Sequence, residues 1–181
     1  MIRTLSVALG IGALLSACAS APPTIPPVAS VDMPRFMGDW YVIAQIPTYI
    51  ERKAFDSVES YRLDADGKIR TTFRYRNGSA DAPLKTMEPV GRVVPGTNNA
   101  VWEMQFVWPI QAEYVIVDLA PDYSRTIVGR SKRDYVWLMS RQPSLPAAEL
   151  AAAIQKIREL GYDTTKLRMV PQSAATATAK P

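Results

Sequence analysis

The sequence predicts an all-β domain of eight short antiparallel strands followed by one α-helix, and three observations carry that expectation. Apolar and alternating runs recur between Met33 and Arg141, turn residues punctuate them, and no helical segment intervenes between strands. The last point removes a parallel α/β sheet, whose strands need crossover helices, so sequence neighbours should pair antiparallel. On these residues alone, a closed up-and-down barrel and a two-sheet sandwich both satisfy the pattern.

The strands are expected at about 39–46, 57–63, 69–76, 86–94, 100–107, 112–119, 124–130 and 135–141. Asp64-Ala65-Asp66-Gly67, Asn77-Gly78, Pro95-Gly96-Thr97-Asn98-Asn99 and Ala120-Pro121-Asp122 supply the turn chemistry between them. Within Ile69–Arg76 the odd positions are apolar and the even ones polar, three of them arginine, as one wet face requires. In the fifth strand Trp102, Met104 and Phe106 share one face with Trp108. If the sheet closes, Phe73, Tyr75, Trp102, Met104 and Phe106 point inward with Tyr114 and Ile116 from the sixth strand. Such aromatics either fill a solid core or line a cavity.

Tyr135–Arg141 is apolar on both faces, so something must cover its outside. The next segment supplies it: Ser144 as N-cap, Pro146 in the first turn, Leu150, Ile154, Ile157 and Leu160 at helical spacing, and Gly161 as the stop. Docking that stripe on Val136 and Leu138 leaves Tyr135, Trp137 and Met139 for the interior. A short final strand is expected at Lys166–Val170.

The ends read differently from this middle. Residues 1–17, with Arg3 ahead of an apolar Leu5–Leu15, have the layout of an export signal, and the run is too short for a spanning helix of about 20 residues. Leu15-Ser16-Ala17-Cys18 resembles the lipobox of bacterial lipoproteins, which implies cleavage before Cys18 and acylation of it. Lipidation also accounts for a single cysteine in an exported chain, otherwise a loose thiol. Residues 18–32 then form the lipidated cysteine and a tether with Pro22, Pro23, Pro26 and Pro27, 33–170 the domain, and 171–181 a disordered Ala/Thr-rich tail.

Composition narrows the chemistry. The 181 residues are 48% hydrophobic, enough for one real core. A net charge of +4, with 21 basic residues scattered among 17 acids, shows no basic stripe for nucleic acid. With no histidine and one cysteine, Ser-His and Cys-His pairs, histidine zinc sites and an internal disulfide are excluded. Carboxylate catalysis needs inward acids, and the expected inward set offers only Asp118, so no enzyme activity and no cofactor are expected.

Met37-Gly38-Asp39-Trp40-Tyr41-Val42-Ile43-Ala44, the stretch Tyr114–Tyr123 and Asp134–Arg141 together resemble the lipocalin family, specifically its bacterial outer-membrane lipoprotein branch, related to the apolipoprotein D-type lipocalins. The resemblance implies an eight-stranded barrel (the lipocalin calyx) with an open cup and the helix packed outside. It implies that Gly38, Trp40, Tyr123 and Arg141 close one end, Arg141 over Trp40. One departure is Leu119-Ala120-Pro121-Asp122-Tyr123, where the family corner often has aspartate directly after leucine. The implied ligand is a small hydrophobic or amphiphilic molecule, a fatty acid or lysophospholipid, held by Phe73, Tyr75, Trp102, Met104, Phe106, Tyr114, Ile116, Tyr135, Trp137 and Met139.

At the open end Arg52, Lys53, Arg76, Lys85, Arg130, Lys132 and Arg133 face Glu51, Asp56, Asp81, Glu113 and Asp134, a weakly basic rim. The loop Pro47–Asp56, with Tyr49, Ile50 and Phe55, suits a lid or a bilayer contact. The implied role is lipid storage, transport or envelope maintenance by a monomer or homodimer, lipid-anchored in a Gram-negative outer membrane and facing the periplasm. A filled barrel acting as a structural lipoprotein is the competing reading.

Overall fold

A computed structural model describes residues 25–107 and 109–173. The export signal, Cys18, the first part of the tether, Trp108 and the tail from 174 lie outside the described residues.

Ten strands form one antiparallel sheet: β1 Gly38–Ile46, β2 Ala54–Leu63, β3 Lys68–Asn77, β4 Leu84–Met87, β5 Val90–Val93, β6 Val101–Val107, β7 Ile110–Leu119, β8 Arg125–Gly129, β9 Val136–Ser140 and β10 Arg168–Met169. The strands pair in the order β1, β2, β3, β5, β6, β7, β8 and β9, with β4 also beside β3, and β9 returns to β1 from Tyr41↔Ser140 to Ile46↔Val136, so the sheet is closed. The expected fourth strand, 86–94, is divided at Glu88–Pro89 because proline has no N–H for the ladder. Pro89 keeps one link, its carbonyl accepting the Thr71 N–H at 3.1 Å, and both halves pair with β3. Counting β4 and β5 as one bent strand gives an eight-stranded barrel, the closed alternative of the two that the pattern left open.

Helix α2, Ala147–Glu159, lies outside. Ala153 and Ile157 are fully buried and join Ile43, Ala44, Val136 and Leu138 in one apolar cluster, the docking the stripe requires. The helix begins later than its expected cap: Pro146 holds the N-cap position and no side chain caps the first turn. It ends at Gly161, whose φ of +88° needs glycine, while Arg133 Nε donates to the Leu160 carbonyl at 2.7 Å.

Both flanks of the barrel are more structured than their composition indicates. Ile25 and Val31 are buried, Val28 N donates to Ile116 O at 2.9 Å, and Val31 N donates to Asn98 O at 3.0 Å. The Asn98 and Asn99 amides donate back to Ala29 O and Val31 O. Residues 25–32 are therefore a strap along the wall, not part of a free tether, because asparagine side chains satisfy its carbonyls and a cluster beside Tyr162 takes in Ile25. At the other end, β10 pairs with Ala44 and Gln45 of β1. Beyond it Gln172, also buried, donates to Val42 O at 2.9 Å and Ser57 O at 3.1 Å, so it bridges β1 and β2 where the ladder between them opens. Pro171–Ser173 thus belong to the barrel instead of the tail.

The short helix α1, Met33–Phe36, crosses the closed end, and Trp40 Nε1 donates to its Phe36 carbonyl at 2.8 Å. Arg141 lies 3.7 Å over the Trp40 ring and donates to Asp39 O at 2.7 Å and Met37 O at 2.9 Å. The departing corner closes without the usual aspartate: Tyr123 N donates to Ala120 O at 2.8 Å, and Asp122 accepts both the N–H and hydroxyl of Ser124. Tyr123 itself, at a φ of 63°, turns its hydroxyl back to accept the Asp32 N–H at 2.8 Å.

Candidate functional site

Above that floor the barrel encloses an apolar cavity of about 340 Å³, within the range of small-ligand sites and too large for a solid core. Alternation places its walls: inward positions of β3, β6, β7 and β9 bring Phe73, Met104, Phe106, Tyr114 and Trp137 to the lining, with Tyr135 just before β9. The other four expected lining residues sit elsewhere. Trp102, Ile116 and Met139 are buried below the cavity, in the cluster that holds Trp40 and Phe36, and Trp102 stacks on Tyr114 with centroids 4.9 Å apart. Tyr75 stacks behind Phe73 at 4.9 Å against Ala54. All ten face inward or pack behind the lining, but strand tilt sorts them by height, and height is not written in the period-two pattern.

Glu51 and Glu59 also line the cavity, and the expected inward set lacked both. Glu59 was legible: Tyr61 faces the core, and period two puts residue 59 on the same side. Glu51 was not, because it sits in a loop. Asp118, the acid expected inside, instead pairs with Arg125 at 2.7 Å, partly exposed near the closed end.

Glu51 Oε1 accepts the Trp137 indole N–H at 2.8 Å, and Oε2 accepts the Thr48 N–H at 3.1 Å. Burial still pushes its pKa up, because those bonds only partly offset desolvation. Glu59 accepts the Tyr61 hydroxyl, and Tyr61 meets the Tyr114 hydroxyl at 2.6 Å. Since Tyr61 gives its proton to Glu59, Tyr114 donates to Tyr61, and the three form a relay. Burial raises Glu59 to about 7, with the Tyr61 bond opposing and the Glu51 charge adding to the rise. Both tyrosines are held well above their ordinary range by the same burial and by the Glu59 charge.

The mouth is more apolar than its charges suggest. Tyr49 is 79% exposed and Ile110 70%, with Ile50, Leu84 and Phe106 also open to solvent. Three of the expected rim cations are occupied: Arg76 pairs with Asp56 at 3.4 Å, Arg130 with Asp134 at 3.3 Å, and Arg133 serves α2. Glu113 is taken by the Ser131 N–H and hydroxyl. Of the loop expected to act as a lid, Thr48–Glu51 lines the cavity, while Phe55 lies beneath Arg168. No cluster of three potential metal ligands exists among the described residues.

A closed antiparallel barrel with an outside helix, an indole and guanidinium floor and one apolar cup defines a lipocalin-type binding protein. The match to the Lipocalin-like domain family covers residues 31–172, and the chain belongs to that family. Membership carries binding of a small hydrophobic ligand, in a family of binding and transport proteins. The chain is 28% identical to the outer membrane lipoprotein Blc of Vibrio cholerae over 88% of its own length and 93% of that protein. It is 27% identical to the temperature-induced lipocalin-1 of Arabidopsis thaliana over 81% of this chain and 82% of the other. Insecticyanin of Manduca sexta shares the fold, with a TM-score of 0.64 at 19% identity over 83% of this chain and 86% of that one.

Proposed function

We propose that this chain is a carrier of single-chain lipids, fatty acids or lysophospholipids, acylated at Cys18 and anchored in the outer membrane with its barrel on the periplasmic side. The observation that supports the carrier reading is the cavity of about 340 Å³ with an almost wholly apolar lining. A filled-barrel structural role would leave no such space. The anchor rests on the lipobox-like Leu15-Ser16-Ala17-Cys18 and on likeness to bacterial proteins named outer membrane lipoproteins. Among the described residues no helix is long and apolar enough to cross a membrane.

The test is a titration of the barrel with a fatty acid and a lysophospholipid, read by quenching of Trp137, which lines the cavity. Ala112 also lines it, so Ala112→Trp should block the cup and weaken binding at least about tenfold while the circular dichroism spectrum holds. Flat titrations of the native protein would remove the carrier reading. Retention of a Cys18→Ser variant in the membrane fraction would remove the anchor.

A further inference from the structure

The deep end of an otherwise greasy cup carries polar groups, Glu59 and Thr71. Glu59 lies opposite Trp40 in the β1–β2 ladder, so it reaches the cavity at its closed end. One of its carboxylate oxygens takes the Tyr61 hydroxyl. The other makes no hydrogen bond among the described residues, although Glu59 lines the cavity. Thr71, paired with Tyr61 across the β2–β3 ladder, lines the same floor, and its buried hydroxyl has no partner. Among the described residues the cation lining the cavity is Arg130, and it is paired with Asp134.

A hydrocarbon tail pushed to this floor would leave both groups unsatisfied in a medium where each unmet polar group costs about 1–3 kcal/mol. A carboxylate head pushed there would meet ionised Glu59 as a like charge, so it enters only when one of the two carboxyls takes up a proton. The group that completes the floor is a donor: an ammonium, which also matches the charge of ionised Glu59, or a hydroxyl, which pairs with either form.

We infer that the cup binds its amphiphile head-inward, with an ammonium or hydroxyl group donating to Glu59 at the closed end and the alkyl chain running toward the apolar mouth. This rests on the reading of the cup as a carrier of single-chain amphiphiles and goes beyond it, since it ranks amines and alcohols above the free acids of the same chain. Tyr49, Ile50 and Phe106 at the mouth then meet hydrocarbon and not a headgroup, which accounts for an apolar rim whose arginines are largely occupied elsewhere.

The experiment compares dodecylamine, dodecanol and dodecanoic acid on the folded barrel, below their micellar concentrations, by Trp137 quenching and native mass spectrometry. Amine and alcohol should each bind about tenfold or more tighter than the acid, the worth of one hydrogen bond to a charged group. Glu59→Gln, close in size and shape, should remove most of the advantage of the amine over the acid. Equal affinity for all three probes in the native protein, or an amine preference that survives Glu59→Gln, overturns the head-inward inference and leaves the carrier reading standing. Binding of none of the three overturns both.

Discussion

The Trp137 indole donates to the Glu51 carboxylate at 2.8 Å, across 86 residues of chain, and thereby fastens the β1–β2 loop into the mouth of the barrel. The Gln45 side chain holds the same residue from below, donating to its carbonyl at 3.2 Å. Glu51 is 5% exposed while its neighbours Tyr49 and Ile50 stand out in solvent, so one buried acid anchors a greasy loop tip. The loop tip is therefore pinned at the mouth of the cup. Trp137→Phe keeps an aromatic ring, though a smaller one, and deletes the donor, leaving a buried carboxyl one bond short at about 1–3 kcal/mol. Amide exchange across residues 48–53 should accelerate in that variant while β6 and β7 stay protected. Unchanged exchange in the loop would mean the indole holds nothing shut.

Arg141 closes the other end. Its guanidinium lies on the Trp40 face and donates to the carbonyls of Arg35, Asp39 and Met37, tying α1 to the first and last strands. A lysine offers a point charge without the planar fork, so it can neither stack flat nor reach those carbonyls together. Arg141→Lys should cost about 2–4 kcal/mol, read as a lower midpoint in urea at unchanged m-value. A loss under about 0.5 kcal/mol would show the floor is held by Trp40 packing alone.

The strap of residues 25–32 makes a separate claim about the domain boundary. Ile25 is fully buried against Tyr162, whose hydroxyl accepts the Arg130 N–H at 2.8 Å and donates to its carbonyl at 3.0 Å. Ile25→Ala should destabilise the barrel by about 2–4 kcal/mol, and the Val28 and Val31 amides should lose protection with it. If the residues before Met33 are only a tether, that substitution will leave the unfolding curve where it was.

Much of this architecture was legible in the chain, for reasons that single residues make plain. Trp40, Tyr123 and Arg141 fall at strand ends that up-and-down topology brings to one end, and the family resemblance implied that Arg141 lies over Trp40 there. Strand alternation likewise brought Phe73, Met104, Phe106, Tyr114 and Trp137 to the cavity, since parity decides which face a side chain takes. Parity says nothing of depth, and so Trp102, Ile116 and Met139 went to the floor. Pro-rich composition misled at Ile25–Asp32, where two asparagine side chains and two backbone hydrogen bonds, not local propensity, fix the chain. Glu51 was beyond reach, because a loop carries no period.

Glu59 ties the interior to pH. Burial, the main cause, raises its carboxyl in the folded barrel from the ordinary 4.5 to about 7. A raised acid binds its proton more tightly folded than unfolded, so its contribution to stability is complete below about 4.5 and is lost as pH climbs to about 7. Glu51 is raised as well and acts in the same direction, so it leaves a residual slope. Asp66, Asp122 and Asp163 are lowered and exposed, and their opposite effect falls at more acidic pH. Glu59→Gln removes one titration without removing the Tyr61 acceptor. Relative to the native protein, the variant should gain stability steadily between about pH 5 and 8, by up to about 3 kcal/mol at the alkaline end. Thermal midpoints of the two proteins, followed across that range, should diverge as pH rises. Parallel curves would mean that Glu59 is already ionised in the fold and that the polar floor carries a full charge throughout.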